Sequence, residues 1–193
     1  MFDPFGDLEC AGYLRNTHKL KDPQMIKHME HHLFVRNFGR AQNHLSKRKE
    51  ITYDDFLKVH QIIFAELYPW AGQDRATLLP NRAVHKADVA FAHPNEAQLA
   101  VNEGLRLGQM ADQMKKHPGA VMGLFAFGHP FLDGNGRTML MVHLELAHRA
   151  GFSIAWEHVQ KDEYLRCLSS EIKDPSVGEL DTYLRGFIKV NPR

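Results

Sequence analysis

Apolar side chains recur every three or four residues along most of the chain, in stretches broken by short runs of proline, glycine and polar residues, the pattern of a helical protein. Pro23 predicts the start of a first helix, with Met25, Met29 and Leu33 forming one face until Gly39. Thr52, with Asp55 three residues on, reads as a capping box. The second helix it opens carries Phe56, Val59, Ile63 and Leu67 at the helical period up to Pro69. A third is expected from Pro94-Asn95-Glu96 through Leu99, Val101, Leu105 and Met110 to Lys116. A fourth, almost wholly apolar, opens at Pro118 and places Val121 to Phe127 in the core. A fifth runs from about Gly136 to Arg149 and ends at Gly151, and two more fit Lys161 to Ser170 and Glu179 to Val190. The exception is Trp70 to His93. There a WAG turn ends at Gly72, Arg75 to Leu79 reads as short and β-like, Pro80-Asn81 is a turn, and Val89-Ala90-Phe91 returns as the second strand of a hairpin. The predicted fold class is all-α with one β flap, with an N-terminal arm over residues 1–22 and a single domain over 23–193.

Composition narrows the class. At 193 residues and 44% hydrophobic, the chain suits one compact core. Twenty-four basic against 23 acidic side chains leave a formal charge of +1, so no direct nucleic-acid binding is expected. Two cysteines, Cys10 and Cys167, form neither a disulfide framework nor a CxxC zinc pair. The most apolar stretch, Gly119 to Phe127, is too short to span a bilayer, and the opening MFDPFGDLEC is acidic where a secretory leader is basic. The expectation is a soluble protein of a reducing cytoplasm. Thirteen histidines are unusual, and His28, His31 and His32 cluster around Glu30. Their order, HMEHH, is not the HExxH of a metalloprotease, and they are read as solvated helix histidines.

The chemistry concentrates in His129-Pro130-Phe131-Leu132-Asp133-Gly134-Asn135-Gly136-Arg137-Thr138, a loop that opens directly into a helix. Gly134 and Gly136 let successive N–H groups turn into one concavity, and the positive end of the following helix adds to that anion nest. Arg137 brings a fork of donors to the same mouth. Asp133 is a hard oxygen ligand suited to Mg²⁺ carried in on phosphates, and His129 is a base with an ordinary pKa near neutrality. Phe131 reads as a ring plugged into the core, with Pro130 stiffening the loop. A base, a metal carboxylate, a phosphate nest and an arginine within nine residues describe phosphoryl or nucleotidyl transfer.

The run HPFLDGNGR resembles the signature of Fic-domain proteins, HPFx(D/E)GNGRxxR, and Phe64 to Gly72 with Arg75 is similar to that family's helix-to-flap junction. The resemblance covers about residues 50 to 190. It implies a Fic fold, a helical bundle with a β-hairpin flap over the active site. It also implies a protein adenylyltransferase that moves AMP from ATP to a Ser, Thr or Tyr hydroxyl of a target protein. On these positions His129 would be the general base and Asp133 the Mg²⁺ ligand. Asn135 and the amides of Gly134 and Gly136 would hold the α-phosphate, and Arg137 would neutralise the leaving pyrophosphate. Val89, Ala90 and Phe91 in the flap would pin the target by strand-like pairing. Such relatives act in the cytoplasm or after delivery into a host cell, and some are toxins restrained by a small antitoxin partner.

One position departs from the signature. Its last arginine falls at Leu140 here, and that arginine helps to hold the γ-phosphate in the family. No full (S/T)xxxE(G/N) inhibitory motif is present; Ser46 to Glu50 is followed by Ile51. Gly136 to Leu140 is also partly similar to the NKRTAL stretch of Doc toxins, which phosphorylate a translation factor. Doc, however, has a lysine where this chain has Gly136, and a lysine would fill the nest. Loss of the γ-phosphate arginine also suits a donor with two phosphates, as in relatives that transfer phosphocholine. AMP transfer is the expectation; another phosphate-linked transfer and a non-catalytic nucleotide-binding module are the alternatives.

Overall fold

The computed structural model describes residues 2–86 and 88–190. In order, the chain forms α1 (Leu8–Ala11), α2 (Pro23–Ser46), α3 (Tyr53–Phe64), α4 (Arg75–Leu78), the hairpin β1 (His85–Lys86) and β2 (Val89–Ala90), α5 (Pro94–Gly108), α6 (Ala111–Lys116), α7 (Pro118–Gly128) and α8 (Asn135–Arg149). After these come β3 (Phe152–Ile154), α9 (Lys161–Lys173), α10 (Glu179–Arg185) and β4 (Ile188–Val190). The apolar helix α7 is the axis, with α5, α8, α9 and α10 packed on it. Its glycines make the close approaches possible. A Cβ on Gly119 would lie 2.3 Å from the Asp181 amide, and one on Gly128 would lie 2.9 Å from the Ala97 carbonyl. Asp181 docks α10 there by accepting from the Gly119 amide at 2.6 Å. Helix α8 is sandwiched between α7 on one side and α2 and α3 on the other.

The capping box is present at the start of α3, and the all-α class with a flap holds. Several boundaries differ, each for a local reason. Helix α2 runs through Gly39 to Ser46, because the buried stripe continues as Asn37, Ala41 and Leu45 while Gly39 faces open space. Its buried face is Ile26, Glu30 and Leu33, so the expected Met25 lies on the outside, 52% exposed. Helix α3 stops at Phe64, short of Leu67 and Pro69. The single helix expected over 94–116 is broken between α5 and α6, where the Gln109 side chain caps the backbone of Ile51, accepting from its amide at 2.7 Å. The segment expected to be β-like at 75–79 is the helical turn α4, capped by the Asp74 carboxylate on the Thr77 amide at 2.9 Å. The last expected helix ends at Arg185, and β4 pairs antiparallel with β3, Phe152 opposite Val190. That second sheet is additional to the predicted flap. The N-terminal arm lies along the body, where the buried Leu14 accepts from the Trp70 indole at 2.7 Å and the Thr17 amide donates to the Leu67 carbonyl.

His143 on α8 is wholly buried, with Nε2 2.8 Å from the Pro118 carbonyl at the start of α7. Burial pushes its pKa down to about 4, against the pull of that hydrogen bond. The unfolded chain therefore takes up this proton first as the pH drops, so the residue's contribution to stability is lost from about pH 6.5 downward. The neutral substitute His143→Gln should lose about 2 kcal/mol less stability than the parent between pH 7.5 and pH 5. Urea unfolding at the two pH values reads the difference; equal losses would show that the ring does not titrate in this way.

Candidate active site

The loop between α7 and α8 is shaped by what lies beneath it. Helix α7 ends at His129, whose backbone is left-handed at φ 42°, ψ 55°, an uncommon state for a side chain with a Cβ. Arg75 holds it there. The guanidinium is fully buried, and its Nε donates to the His129 carbonyl at 2.7 Å while Nη2 donates to Ala92 at 2.8 Å and Gly128 at 3.3 Å. The Arg75 amide adds a bond to the Pro130 carbonyl at 2.7 Å. One buried fork thus ties the end of α7, the loop and the base of the flap. Below, Phe131 is plugged into the core as expected, stacked on His60 with ring centres 3.8 Å apart. His60 is a wholly buried neutral post whose Nδ1 accepts from the Gly72 amide at 2.9 Å and whose Nε2 donates to the Asp133 carbonyl at 3.1 Å. Burial pushes its pKa down to about 3.

Above this support the chain turns into α8. Gly134 has φ 78°, and a Cβ there would meet the Phe64 ring at 2.5 Å, so only glycine fits. A Cβ on Gly136 would face open space, which leaves its backbone approachable. The amides of Asn135, Gly136 and Arg137 have no protein acceptor among the described residues. Three free donors at the head of a 15-residue helix have the chemistry an anion requires. Two roles differ from the sequence reading. The Gly134 amide is engaged by its neighbour's carboxylate, Asp133 Oδ1, at 2.6 Å. The Asn135 side chain is buried and clamps the loop, accepting from the Phe131 amide at 2.9 Å and donating to its carbonyl at 2.8 Å. At Asn135 it is the backbone amide that is left free, and the side chain sets the turn.

Asp133 is half-exposed, and its Oδ2 has no protein partner among the described residues. No set of three His, Cys, Asp or Glu side chains is placed to cage a metal among those residues. One free carboxylate oxygen beside open amides fits Mg²⁺ ligated mainly by phosphate and water. Arg137 stands at the same mouth, its Nη2 donating to Glu30 at 2.5 Å and lying 4.0 Å from Asp133, with the guanidinium over the Phe64 ring. Glu30 is almost fully buried on α2 and also accepts from the Tyr68 hydroxyl at 2.7 Å. Burial and the Asp133 charge raise its pKa against the pull of Arg137. Tyr13 of the arm is close enough to Asp133 and Glu30 that burial and their charges push its hydroxyl up to about 12.

On the other side of the loop the His129 ring stacks on Phe91, centres 3.8 Å apart. Burial, with Arg75 and Lys86 nearby, pushes its pKa down to about 3, so the ring is neutral near pH 7. The two face a cavity of about 280 Å³ lined by Val89 from the flap, Asn135, Gly136 and Met139 from α8, and Leu168 from α9. The third flap residue, Ala90, is exposed and pairs with His85. Of the expected loop residues, His129, Asn135 and Gly136 line this cavity with Phe91 and Val89, and Asp133, Gly134 and Arg137 do not. Sequence reasoning missed His60 and Glu30, read there as part of a helix and as the centre of a solvated histidine cluster. An acid at a position in register with Ile26 and Leu33 was the available signal.

Residues 50–147 match the Fic/DOC family. Protein adenylyltransferase VbhT of Bartonella schoenbuchensis is 30% identical over 169 residues, 85% of this chain and 34% of VbhT, so the chain spans about a third of that relative. A second relative, y4lH of Sinorhizobium fredii, is 24% identical over 161 residues, 79% of each chain. In fold, the crystal structure of the BepC effector of Bartonella tribocorum with bound AMPPNP superposes with a TM-score of 0.70 at 15% identity, covering 92% of both chains. The chain belongs to the Fic/DOC family and has its fold.

If the buried fork of Arg75 holds the loop, a lysine cannot replace it, since one ammonium cannot reach carbonyls on three segments. Arg75→Lys should cost about 2–4 kcal/mol in urea unfolding, through carbonyls left without donors. A variant as stable as the parent would remove Arg75 from this role.

Proposed function

We propose that this Fic/DOC-family chain is a protein adenylyltransferase, moving AMP from ATP to a Ser, Thr or Tyr hydroxyl of a target protein. The observation that carries the reading is the row of free amides at Asn135, Gly136 and Arg137, open at Gly136 and flanked by the neutral ring of His129. The name of VbhT and the AMPPNP in the BepC structure support a nucleotide donor. The description of BepC as a VirB-translocated effector supports delivery into a host cell as one setting for the target.

In this mechanism His129 takes the proton of the target hydroxyl as its oxygen attacks the α-phosphorus. The bond to the bridging oxygen breaks and pyrophosphate leaves. A neutral ring can accept that proton, and phosphates seated beside it offset the field of Arg75 and Lys86, raising its basicity when it is needed. The amides of 135–137 stabilise charge developing on the α-phosphate without having to reorient. Asp133 would hold Mg²⁺, which supplies charge neutralisation on the leaving pyrophosphate. Phe91 keeps the His129 ring in place by stacking, and the exposed edge of the flap offers backbone groups for an extended target segment. Leu140, half-buried one turn beyond Arg137, favours a second reading in which the donor carries only two phosphates.

Labelled ATP, CTP, UTP, GTP and CDP-choline, each with Mg²⁺ and a cell lysate, separate these readings: label from ATP alone should pass to protein. His129→Ala should keep nucleotide binding and lose transfer by a factor of about 10²–10⁴. Transfer at the parent's rate would dismiss His129 as the base, and transfer equal and near zero in both would favour a binding module.

Leu140→Arg tests the donor directly. Restoring a cation there should tighten ATP by about 1–3 kcal/mol relative to ADP, read by calorimetry on a variant shown by thermal melting to be folded. A folded variant with no preference for ATP would place the γ-phosphate elsewhere and favour the two-phosphate donor.

A further inference from the structure

Arg137 is anchored from outside the segment that matches the family. Its Nη2 donates to Glu30 on α2, while its other nitrogens have no protein acceptor among the described residues. Glu30 is itself fixed, since it is only 2% exposed and its second oxygen accepts from the Tyr68 hydroxyl at 2.7 Å. Phe64 lies under the guanidinium, its ring centre 5.0 Å from Cζ. The fork is thus held at Nη2 and from below, with Asp133 4.0 Å from that same nitrogen, leaving Nε and Nη1 without a protein acceptor among the described residues. A buried ion pair adds little net stability, whereas an arginine held in one rotamer loses less freedom when it engages a ligand.

We propose that Glu30 is a positioning residue for donor recognition: by fixing Arg137 it makes the site discriminate nucleotides that carry phosphate beyond the α-position from those that do not. This rests on the nucleotide-transfer reading. The α-phosphate is met by backbone amides, which Glu30 does not touch. The β-phosphate side is met by Arg137, the one cationic side chain of the signature left once Leu140 stands in place of the last arginine. Preference for ADP and ATP over AMP should therefore depend on Glu30, and affinity for AMP should not.

The test is calorimetric titration of AMP, ADP and ATP with Mg²⁺ into the parent, Glu30→Gln, and the double variant Glu30→Gln/Arg137→Ala. The double variant replaces the single Arg137→Ala because that single change would strand a buried carboxylate; thermal melting establishes that each is folded. Glu30→Gln should weaken ADP and ATP about tenfold, the loss of one well-oriented charge-assisted contact, while AMP changes less than twofold. The double variant should lose the ADP-to-AMP preference at least as fully as Glu30→Gln, since Glu30 acts only through Arg137. Equal weakening of all three nucleotides in a folded Glu30→Gln protein, or an unchanged preference, overturns the proposal while leaving nucleotide transfer standing. A parent that binds none of the three overturns both.

Discussion

A guanidinium taken out of water needs its donors met, and Arg75 meets those on Nε and Nη2 with carbonyls rather than a carboxylate, while its buried Nη1 has no partner among the described residues. That choice has consequences in every direction. Carbonyls from α7, the loop and the flap must converge on one point, so the left-handed turn at His129, the depth of Pro130 and the attachment of the flap at Ala92 are set together. The charge has no ion-pair partner among the described residues, only the fields of Tyr53 and Asp74. It acts on the nearest titratable ring, adding to burial in holding His129 neutral. A residue that reads as part of a β-like segment is therefore the fixed point of the site.

The same economy appears beneath the loop, where histidine serves as a neutral hydrogen-bonding ring. His60 stacks between Phe131 and Trp70, and Trp70 stacks in turn on Tyr68, with centres 4.5 Å apart. Tyr68 then reaches Glu30, and Glu30 reaches Arg137. The aromatic column and the charge network are one structure, running from the plug of the loop to the cation at its mouth. A shift in the column would move both the Asp133 carbonyl and the Arg137 anchor, which joins the geometry of the nest to that of the arginine beside it.

What the sequence made legible was chemistry contiguous along the chain. The loop from His129 to Arg137 carries its types in order, and a capping box or a proline-led apolar helix is recognisable over a few residues. What it hid was chemistry assembled across the fold. Glu30 lies 107 residues from Arg137 and His60 lies 73 from Asp133. The face of α2 was misplaced by one position because two of its buried residues, Glu30 and Asn37, are polar and look like surface. The pairing of β3 with β4 was invisible because three residues carry no period. The direct use of the Asn135 side chain for the loop was equally hidden, since an amide suits a phosphate and a peptide bond alike.

The charge inventory at the mouth explains why backbone must carry so much of the recognition. Arg137 faces two carboxylates, Glu30 and Asp133, and Leu140 contributes no charge where the family signature has a second arginine. Those three side chains sum to about one negative charge, and the cations Arg75 and Lys86 act instead on the His129 side of the loop. In the proposed nucleotide transfer, attraction would come from the three amides of 135–137, the helix behind them and a divalent cation held by Asp133. These elements would act at the α-phosphate and the leaving group, where the bond order changes, more than at the far end of the chain of phosphates. Binding of that kind would favour the transition state over a tightly held donor, because the donors would be aimed at charge that grows during the reaction.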